Sequence, residues 1–407
     1  MAYLTLEKAF YADTSSERHA NHAALYASRF NADSTIRTGI HLKNGELFCA
    51  SPVELMLSSE LIFKKEKSII SLWESLPHIA QGAFIRSLIL DEVVSSNAIE
   101  GVHSTRRQIE AALEKTASSC DAHTPFLEFA KLYLGLCDTC TLPTKPRDVR
   151  VIFDAVVDGS LSQDAKPDGV LFRNEAVHIE DSRGKKIHAG VVPEEQINRY
   201  IVQMLELNLQ ENVPSLIAAV LGHFVFEYVH PFYDGNGRTG RYLLALYLSK
   251  ILSQATVLSL SRTIAENKSA YYKGFDLVER PLNCSEATPF IEMFFNLITQ
   301  AQEGVITSLQ RKKWQLGELE QAISRISDTM SVRHVEALRY VGHMHLFEAF
   351  GETTLIGLTE YLGTSKATAS ACLSDFAERG LLQKISARPL VYCLSEQGIS
   401  ELGLAVS

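Results

Sequence analysis

His230-Pro231-Phe232-Tyr233-Asp234-Gly235-Asn236-Gly237-Arg238-Thr239-Gly240-Arg241 separates two of the most apolar stretches of a 407-residue chain. Upstream, Ser215 to Val229 reads as a buried helix. It ends at His230, because the residue before a proline is pushed out of the α region. Downstream, Arg238 to about Leu252 reads as a second apolar helix. A polar, glycine-rich loop joining two core helices sets the fold class as mainly α.

The loop carries chemistry. Gly235, Asn236 and Gly237 can take positive φ values and aim successive backbone N–H groups at one point. That nest opens a helix, whose dipole favours an anion. Arg238 and Arg241, three residues apart, project from one side of the first turn. Guanidinium forks suit phosphate oxygens. Asp234 offers a carboxylate beside this cradle, a common way to hold Mg²⁺ with phosphate oxygens as further ligands. His230, at the rim, can be neutral near pH 7 and act as a base. Together these groups describe a polyphosphate site with a metal and a base.

Working outward, Ser51 to about Ala117 is helical in pattern, with Leu55, Ile62, Ile69, Ile85, Leu88, Ile89 and Val93 at three- and four-residue steps. Shorter helices follow at residues 126–137 and 148–157. Val177, His178 and Ile179 alternate in polarity, Asp181 to Gly184 has turn chemistry, and Ile187 and His188 follow. This predicts a β-hairpin. Pro193-Glu194-Glu195 opens another helix. Residues 1–50 show little periodicity and read as an irregular arm. Helices continue from Phe290 to Leu309, and residues 310–330 read as a solvated connecting helix.

Residues 331–407 read as a separate unit of helix, turn, helix and hairpin, the order of a winged helix. Ser331 and Thr364 or Ser365 are its capping residues, Gly363 its turn. The unit holds six Lys or Arg against eight Asp or Glu. DNA binding rests on a basic footprint, so this balance favours a protein contact or dimer role and leaves DNA as the weaker alternative.

Composition sets outer limits. Apolar residues make up 46% and charged residues 21%, as in soluble globular proteins, and the net charge of -9 calls for no anionic partner. The longest apolar run contains Gly222, His223 and Glu227 and is too short and polar to span a bilayer. The N-terminus lacks a signal-peptide pattern. Seven scattered cysteines suit a reducing compartment, so a cytoplasmic location is the default. Cys137 and Cys140 form a lone CxxC with no further ligands at metal spacing, better read as helix packing.

The stretch HPFYDGNGRTGR resembles the Fic signature HxFx(D/E)GNGRxxR at every defined position. The preceding Gly222-His223-Phe224 and Phe226-Glu227 are similar to the family's motif-leading helix. The resemblance covers roughly residues 50–305. It implies a Fic-type helical core with a β-hairpin flap, ahead of the small winged helix. It also implies transfer of AMP from ATP to a hydroxyl of a target protein. In that reading His230 is the base and Asp234 binds Mg²⁺. Gly235, Asn236 and Gly237 hold phosphates, Arg238 the β-phosphate side, Arg241 the γ-phosphate, and Thr239 and Gly240 complete the ATP-binding stretch. Phe232 anchors the loop. The Doc branch carries Lys at the Gly237 position and transfers a phosphoryl group instead. Val177, His178, Ile179, Ile187 and His188 correspond to the flap that pairs with an extended target segment. Tyr271 and Tyr272 fall where the family places residues near adenosine, though an aromatic pair also suits a core.

Ser96-Asn97-Ala98-Ile99-Glu100-Gly101 is similar to the family's inhibitory pattern (S/T)xxxE(G/N). The resemblance implies that Glu100, with Ser96 and Gly101, engages Arg241 and takes the γ-phosphate's place. The domains expected are an N-terminal region over 1–125 carrying this motif, a catalytic core over 126–305, a connecting helix over 306–330 and the C-terminal unit over 331–407. Self-modification and a homodimer stay open. So do two other functions: a regulator that uses the ATP site as a sensor, and a Fic enzyme that removes AMP or uses another nucleotide.

Overall fold

A computed structural model describes residues 3–115, 126–136, 140–161, 165–180 and 186–404. These form two compact units. One comprises the residues up to Glu66 together with Asp91–Glu303, the other Lys67–Leu90 together with the residues from Gly304 onward.

The first unit opens with two helices, α1 (Leu6–Ala12) and α2 (Arg18–Phe30), and a hairpin of β1 (Ile36–Leu42) and β2 (Gly45–Cys49). The expectation of an irregular arm over residues 1–50 is therefore corrected. Thr5 caps α1 by accepting the Lys8 N–H, and Leu6 and Phe10, four apart, bury its inner face. Helix α2 buries no residue fully, so its polar faces hid it in the sequence.

Helices α3 (Val53–Glu74) and α4 (His78–Ile99) contribute residues to both units; α5 (Arg106–Lys115), α6 (Leu127–Leu134) and α7 (Pro146–Val156) follow. The predicted hairpin forms from β3 (His178–Glu180) and β4 (Lys186–Ala189), antiparallel, with Ile179 opposite His188. Val177 lies just outside β3, and the turn at 181–184 falls outside the described residues. Pro193 precedes α8 (Glu194–Leu207) as its N-cap.

The core is built on α9 (Ser215–Val229) and α10 (Asn236–Leu248). Almost every residue of α9 and every residue of α10 is buried. A helix apolar all round belongs at a core's centre. Helix α10 starts at Asn236, two residues before the expected start. Gly235 provides the break at φ +81°, whereas Gly237 is already helical. Short helices α11 (Gln254–Val257) and α12 (Leu260–Glu266) lead to α13 (Lys268–Glu279) and then α14 (Thr288–Ile326).

The second unit takes the C-terminal part of α14. The connecting helix expected over 310–330 forms as far as Ile326, mostly solvated as expected but with one buried stripe. The helix runs unbroken to Ile326, and Leu319, Ala322 and Ile323 recur at three- and four-residue steps among the charges and are buried. Then come α15 (Val332–Phe347), β5 (Glu352–Thr354), α16 (Leu355–Leu362), α17 (Lys366–Glu378), β6 (Leu382–Ala387), β7 (Leu390–Leu394) and α18 (Glu396–Glu401). The strands form one sheet in the order β5-β7-β6. Ser331 and Ser365 cap α15 and α17, and Gly363 turns the chain at φ +55°. Among the described residues no helix is long and apolar enough to cross a membrane.

Candidate functional site

The loop from His230 to Gly235 is held from both sides. Phe232 is fully buried, its ring stacked on Phe153 at 3.6 Å. The Asn236 side chain closes a two-point clasp on Phe232: its Oδ1 accepts the Phe232 N–H at 2.9 Å and its Nδ2 donates to the Phe232 carbonyl at 2.8 Å. Thr239 Oγ1 donates to the Gly235 carbonyl. The side chains of Asn236 and Thr239 therefore brace the loop. Gly235 has no alternative: a Cβ there would lie 2.5 Å from Val157 Cγ1, at a positive φ.

His230 ends α9 in the left-handed region, φ 51° and ψ 61°, with its N–H bonded to the Phe226 carbonyl. The sequence reading placed the helix end correctly, and the residue leaves the right-handed α region by turning left-handed. Few non-glycine residues do so, and those that do cluster at functional sites. Burial, then the neighbouring His188 and Arg173, push its imidazole down to about 4. His230 is therefore neutral near pH 7, and its Nδ1 has no partner among the described residues.

The two arginines differ. Arg238 is fully buried and donates Nη1 to Ser160 Oγ at 2.9 Å, while its Nε has no partner among the described residues. Arg241 is engaged through all three of its nitrogens. Its Nη1 meets Glu100 Oε1 at 2.7 Å, its Nε donates to Ser96 Oγ at 3.0 Å, and its Nη2 donates to the Ser96 carbonyl at 2.8 Å. Burial would raise the Glu100 carboxyl, but the Arg241 charge and hydrogen bond hold it below its ordinary value.

Glu100 is delivered by the end of α4. Gly101, at φ +74°, lets the Val102 N–H reach the Asn97 carbonyl and its own N–H reach the Ala98 carbonyl, a Schellman closure. Lys268 Nζ donates to the Ile99 carbonyl and holds the same end. A Cβ at Gly237 would collide with the Glu100 carboxylate. Asp234 is exposed, with Oδ1 accepting the Gly235 N–H at 2.6 Å.

Residues 143–248 match the family model described as the Fic/DOC family. The chain carries a Fic/DOC domain. It is also similar to a solved Fic family protein from Desulfovibrio desulfuricans G20, at 18% identity and TM-score 0.48, covering 83% of this chain and 96% of that one. A Fic domain-containing signaling protein from Bacteroides thetaiotaomicron is similar at 18% identity and TM-score 0.43, over 60% of this chain and 95% of that one. Fic-1 (aa134–508) from C. elegans is similar at 14% identity and TM-score 0.44, over 75% and 81%.

The other sequence-assigned residues fall in different places. Tyr271 is buried behind the loop, its hydroxyl bonded to His223 Nε2 at 2.8 Å. His223 Nδ1 lies 3.1 Å from the Gly240 carbonyl and must donate, so Nε2 accepts from Tyr271. Burial holds this histidine neutral, with its pKa at about 3. Tyr272 is 44% exposed, with Lys268 Nζ near its ring. On the hairpin His178 is exposed, whereas His188 turns inward. Its Nδ1 meets Glu279 and its Nε2 the Tyr228 carbonyl, each at 2.8 Å. Both ring nitrogens then donate. Burial alone would lower this imidazole's pKa, but Glu279 raises it above its ordinary value. Ile187 lies in β4, and Cys137 of the CxxC pair falls outside the described residues.

Two residues near the loop were given no individual role by the sequence reading. Arg173 is fully buried against the His230 turn. Glu227 lies in the motif-leading helix, one turn before His230. Its Oε1 is buried without a partner among the described residues, and a Cβ at Gly240 would collide with it.

Proposed function

We propose that this chain is a protein adenylyltransferase, moving AMP from ATP onto a hydroxyl of a target protein, with Glu100 holding it off. The observation that carries this reading is the contrast between the two motif arginines around a neutral His230. Arg238 is a buried cation with an unused donor, and Arg241 has its donor taken by Glu100. A polyanion at the α10 N-terminus would satisfy the first and compete with Glu100 for the second.

In the reaction the target hydroxyl attacks the α-phosphorus while His230 accepts its proton. The new P–O bond forms, the bond to the bridging oxygen breaks, and pyrophosphate leaves. The Gly235–Gly237 backbone and Arg238 hold the phosphates. Among the described residues no three-residue metal cluster exists, and one exposed hard carboxylate fits a cation that shares its other ligands with phosphate and water. Asp234 would hold Mg²⁺, which supplies charge neutralisation at the phosphates. The hairpin presents the target by strand pairing.

ATP carrying label at either the α- or the γ-phosphorus tests the reading. Full-length Glu100→Gly is incubated with lysate. Label from the α position should enter protein and label from the γ position should not. His230→Ala in the same background should lower transfer by about 10²–10⁴ and leave ATP binding intact. Transfer of γ-label, or full transfer without His230, would overturn it. Repeating the assay with other nucleoside triphosphates, and with AMP-modified protein as substrate, checks the two other reactions open to the same site. Residues 331–404 enter as a winged-helix unit for protein contacts.

A further inference from the structure

The Arg173 guanidinium is fully buried, and among the described residues no carboxylate accepts a hydrogen bond from it. A buried cation without an anionic partner is costly, and it persists only where other dipoles replace water. Here those dipoles are backbone carbonyls. Nε donates to His230 O at 2.8 Å, Nη1 to Glu175 O at 2.6 Å, and Nη2 to Val191 O at 2.9 Å and Val229 O at 3.3 Å. The Arg173 backbone N–H donates to Pro231 O at 3.1 Å. One side chain thus reaches the end of α9, the approach to β3 and the exit from β4.

The surroundings are shaped to admit it. A Cβ at Gly190 would collide with the end of the guanidinium. The Val191 N–H donates back to Val229 O at 3.0 Å, which joins the base of the hairpin to the same turn. Asp168, whose charge Arg173 feels, is occupied by the Asn174 N–H and the Tyr233 hydroxyl. His230 itself needs holding, since a left-handed non-glycine residue stays put only when its neighbours over-determine it. A lysine could not replace the fork, because four carbonyls in three segments diverge beyond one ammonium's reach.

We propose that Arg173 is a positioning residue for the transfer site, fixing the left-handed turn at His230 and locking that turn to the base of the hairpin. The role rests on the adenylyl-transfer reading for its consequence, not for its geometry. If the base and the strand that receives the target share one clamp, the hydroxyl and its proton acceptor are set together. The charged groups that act on His230 are His188, Arg173 and Glu100, and the Arg173 charge disfavours a protonated imidazole. Geometry and charge can therefore be separated by substitution: lysine keeps the charge without the fork, and methionine keeps neither.

The test uses the full chain in the Glu100→Gly background, with Arg173→Lys and Arg173→Met. Three readouts are taken: hydrogen exchange, the His230 imidazole titration by NMR, and steady-state transfer. Both variants should exchange the amides of Val191 and His230 at least about tenfold faster, with the α10 amides unchanged. The His230 pKa should rise in Arg173→Met and stay put in Arg173→Lys. Both should lose about a hundredfold in kcat, the scale of an ångström's misplacement, while ATP affinity holds within about threefold. Unchanged exchange at those two amides would overturn the proposal. So would faster exchange spread evenly through the chain with loss of ATP binding, because Arg173 would then only support the fold. If Glu100→Gly alone transfers nothing, the transferase reading fails, and exchange and titration still decide the part of Arg173.

Discussion

The helix end at Ser96–Gly101 and the hairpin at His178–Ala189 were both assigned from short sequence patterns, yet they use their polar groups in opposite ways. At the helix end, Glu100 reaches outward from its own element to the buried Arg241, with Ser96 flanking. On the hairpin, His188 reaches inward to Glu279 and Tyr228 and is spent on anchoring. Under the proposed function the first serves as a lock on the phosphate site, set by the single carboxylate of Glu100. The second serves as a hinge pin, and under the same proposal a target would meet the strand's backbone. A residue in a functional segment can thus serve by contact or by support, and only its partners distinguish the two.

The largest expected effect lies at the lock. Glu100→Gly should turn a nearly silent enzyme into one that labels itself and lysate proteins, and Arg241→Ala added to it should silence it again. Removing Glu100 also leaves Arg241 with only Ser96. With the Glu100 side chain 29% exposed, solvent softens the loss, so unfolding stability should fall by about 1–3 kcal/mol. ATP should restore more of it in the variant than in wild type, since the γ-phosphate replaces the lost carboxylate. Self-labelling and melting temperature, measured with and without ATP, check both statements. Equal labelling by wild type and Glu100→Gly would make the ion pair a structural contact.

At the hinge pin the expected effect is smaller and falls on the protein substrate. His188→Ala should raise the KM for a target protein several-fold and leave ATP affinity unchanged. The pH dependence has a definite sign. The folded pKa of His188 lies above its ordinary 6.5, so the anchor's contribution is complete below that value and is lost as pH rises through the folded value. After correction for intrinsic rates, hydrogen exchange at Lys186–Ala189 should quicken with rising pH in wild type. In Glu279→Gln it should be faster at low pH and nearly flat. A pH-independent hairpin in wild type would mean that Glu279 does not hold the imidazole charged.

How much of this was legible in the sequence follows from the range of each interaction. The loop reads well because its logic is local: glycine for a positive φ at 235, a helix start beside it, and a proline after His230 to end α9. Ser96 and Glu100 were reached through the resemblance to a short pattern, and their spacing of four at a helix end is what lets both meet Arg241. Arg173 was invisible, since its partners at 175, 191, 229 and 230 converge only in three dimensions. The inward turn of His188 was hidden for the same reason, its partner being Glu279. The short β5 and the polar α2 lacked the length or the apolar stripe that pattern reading requires. The clasp of Asn236 on Phe232 could have been suspected, as an Asn opening a helix readily bonds nearby backbone.

The smallest effect sharpens the lock from beneath. The Glu227 Oε1 is buried against α10 with no partner among the described residues, and Gly240 leaves it room. Burial, then the charge of Glu100, pushes its carboxyl up to about 8, against the pull of Arg241. Its folded pKa lies above its ordinary 4.5. The stability it contributes is therefore complete below that value and is lost as pH rises through about 8. Glu227→Gln cannot ionise, so between about pH 5 and about pH 9 its melting temperature should fall less than that of wild type. Glu100 is one cause of the shift, so Glu100→Gly should let Glu227 ionise at lower pH and move the wild-type loss toward acid. Melting curves of the two single variants and the double variant across that range isolate the coupling. If Glu100→Gly leaves the pH at which Glu227 matters unchanged, the two carboxyls do not sense each other. Arg241 would then be shared by the helix end and the motif-leading helix without competition.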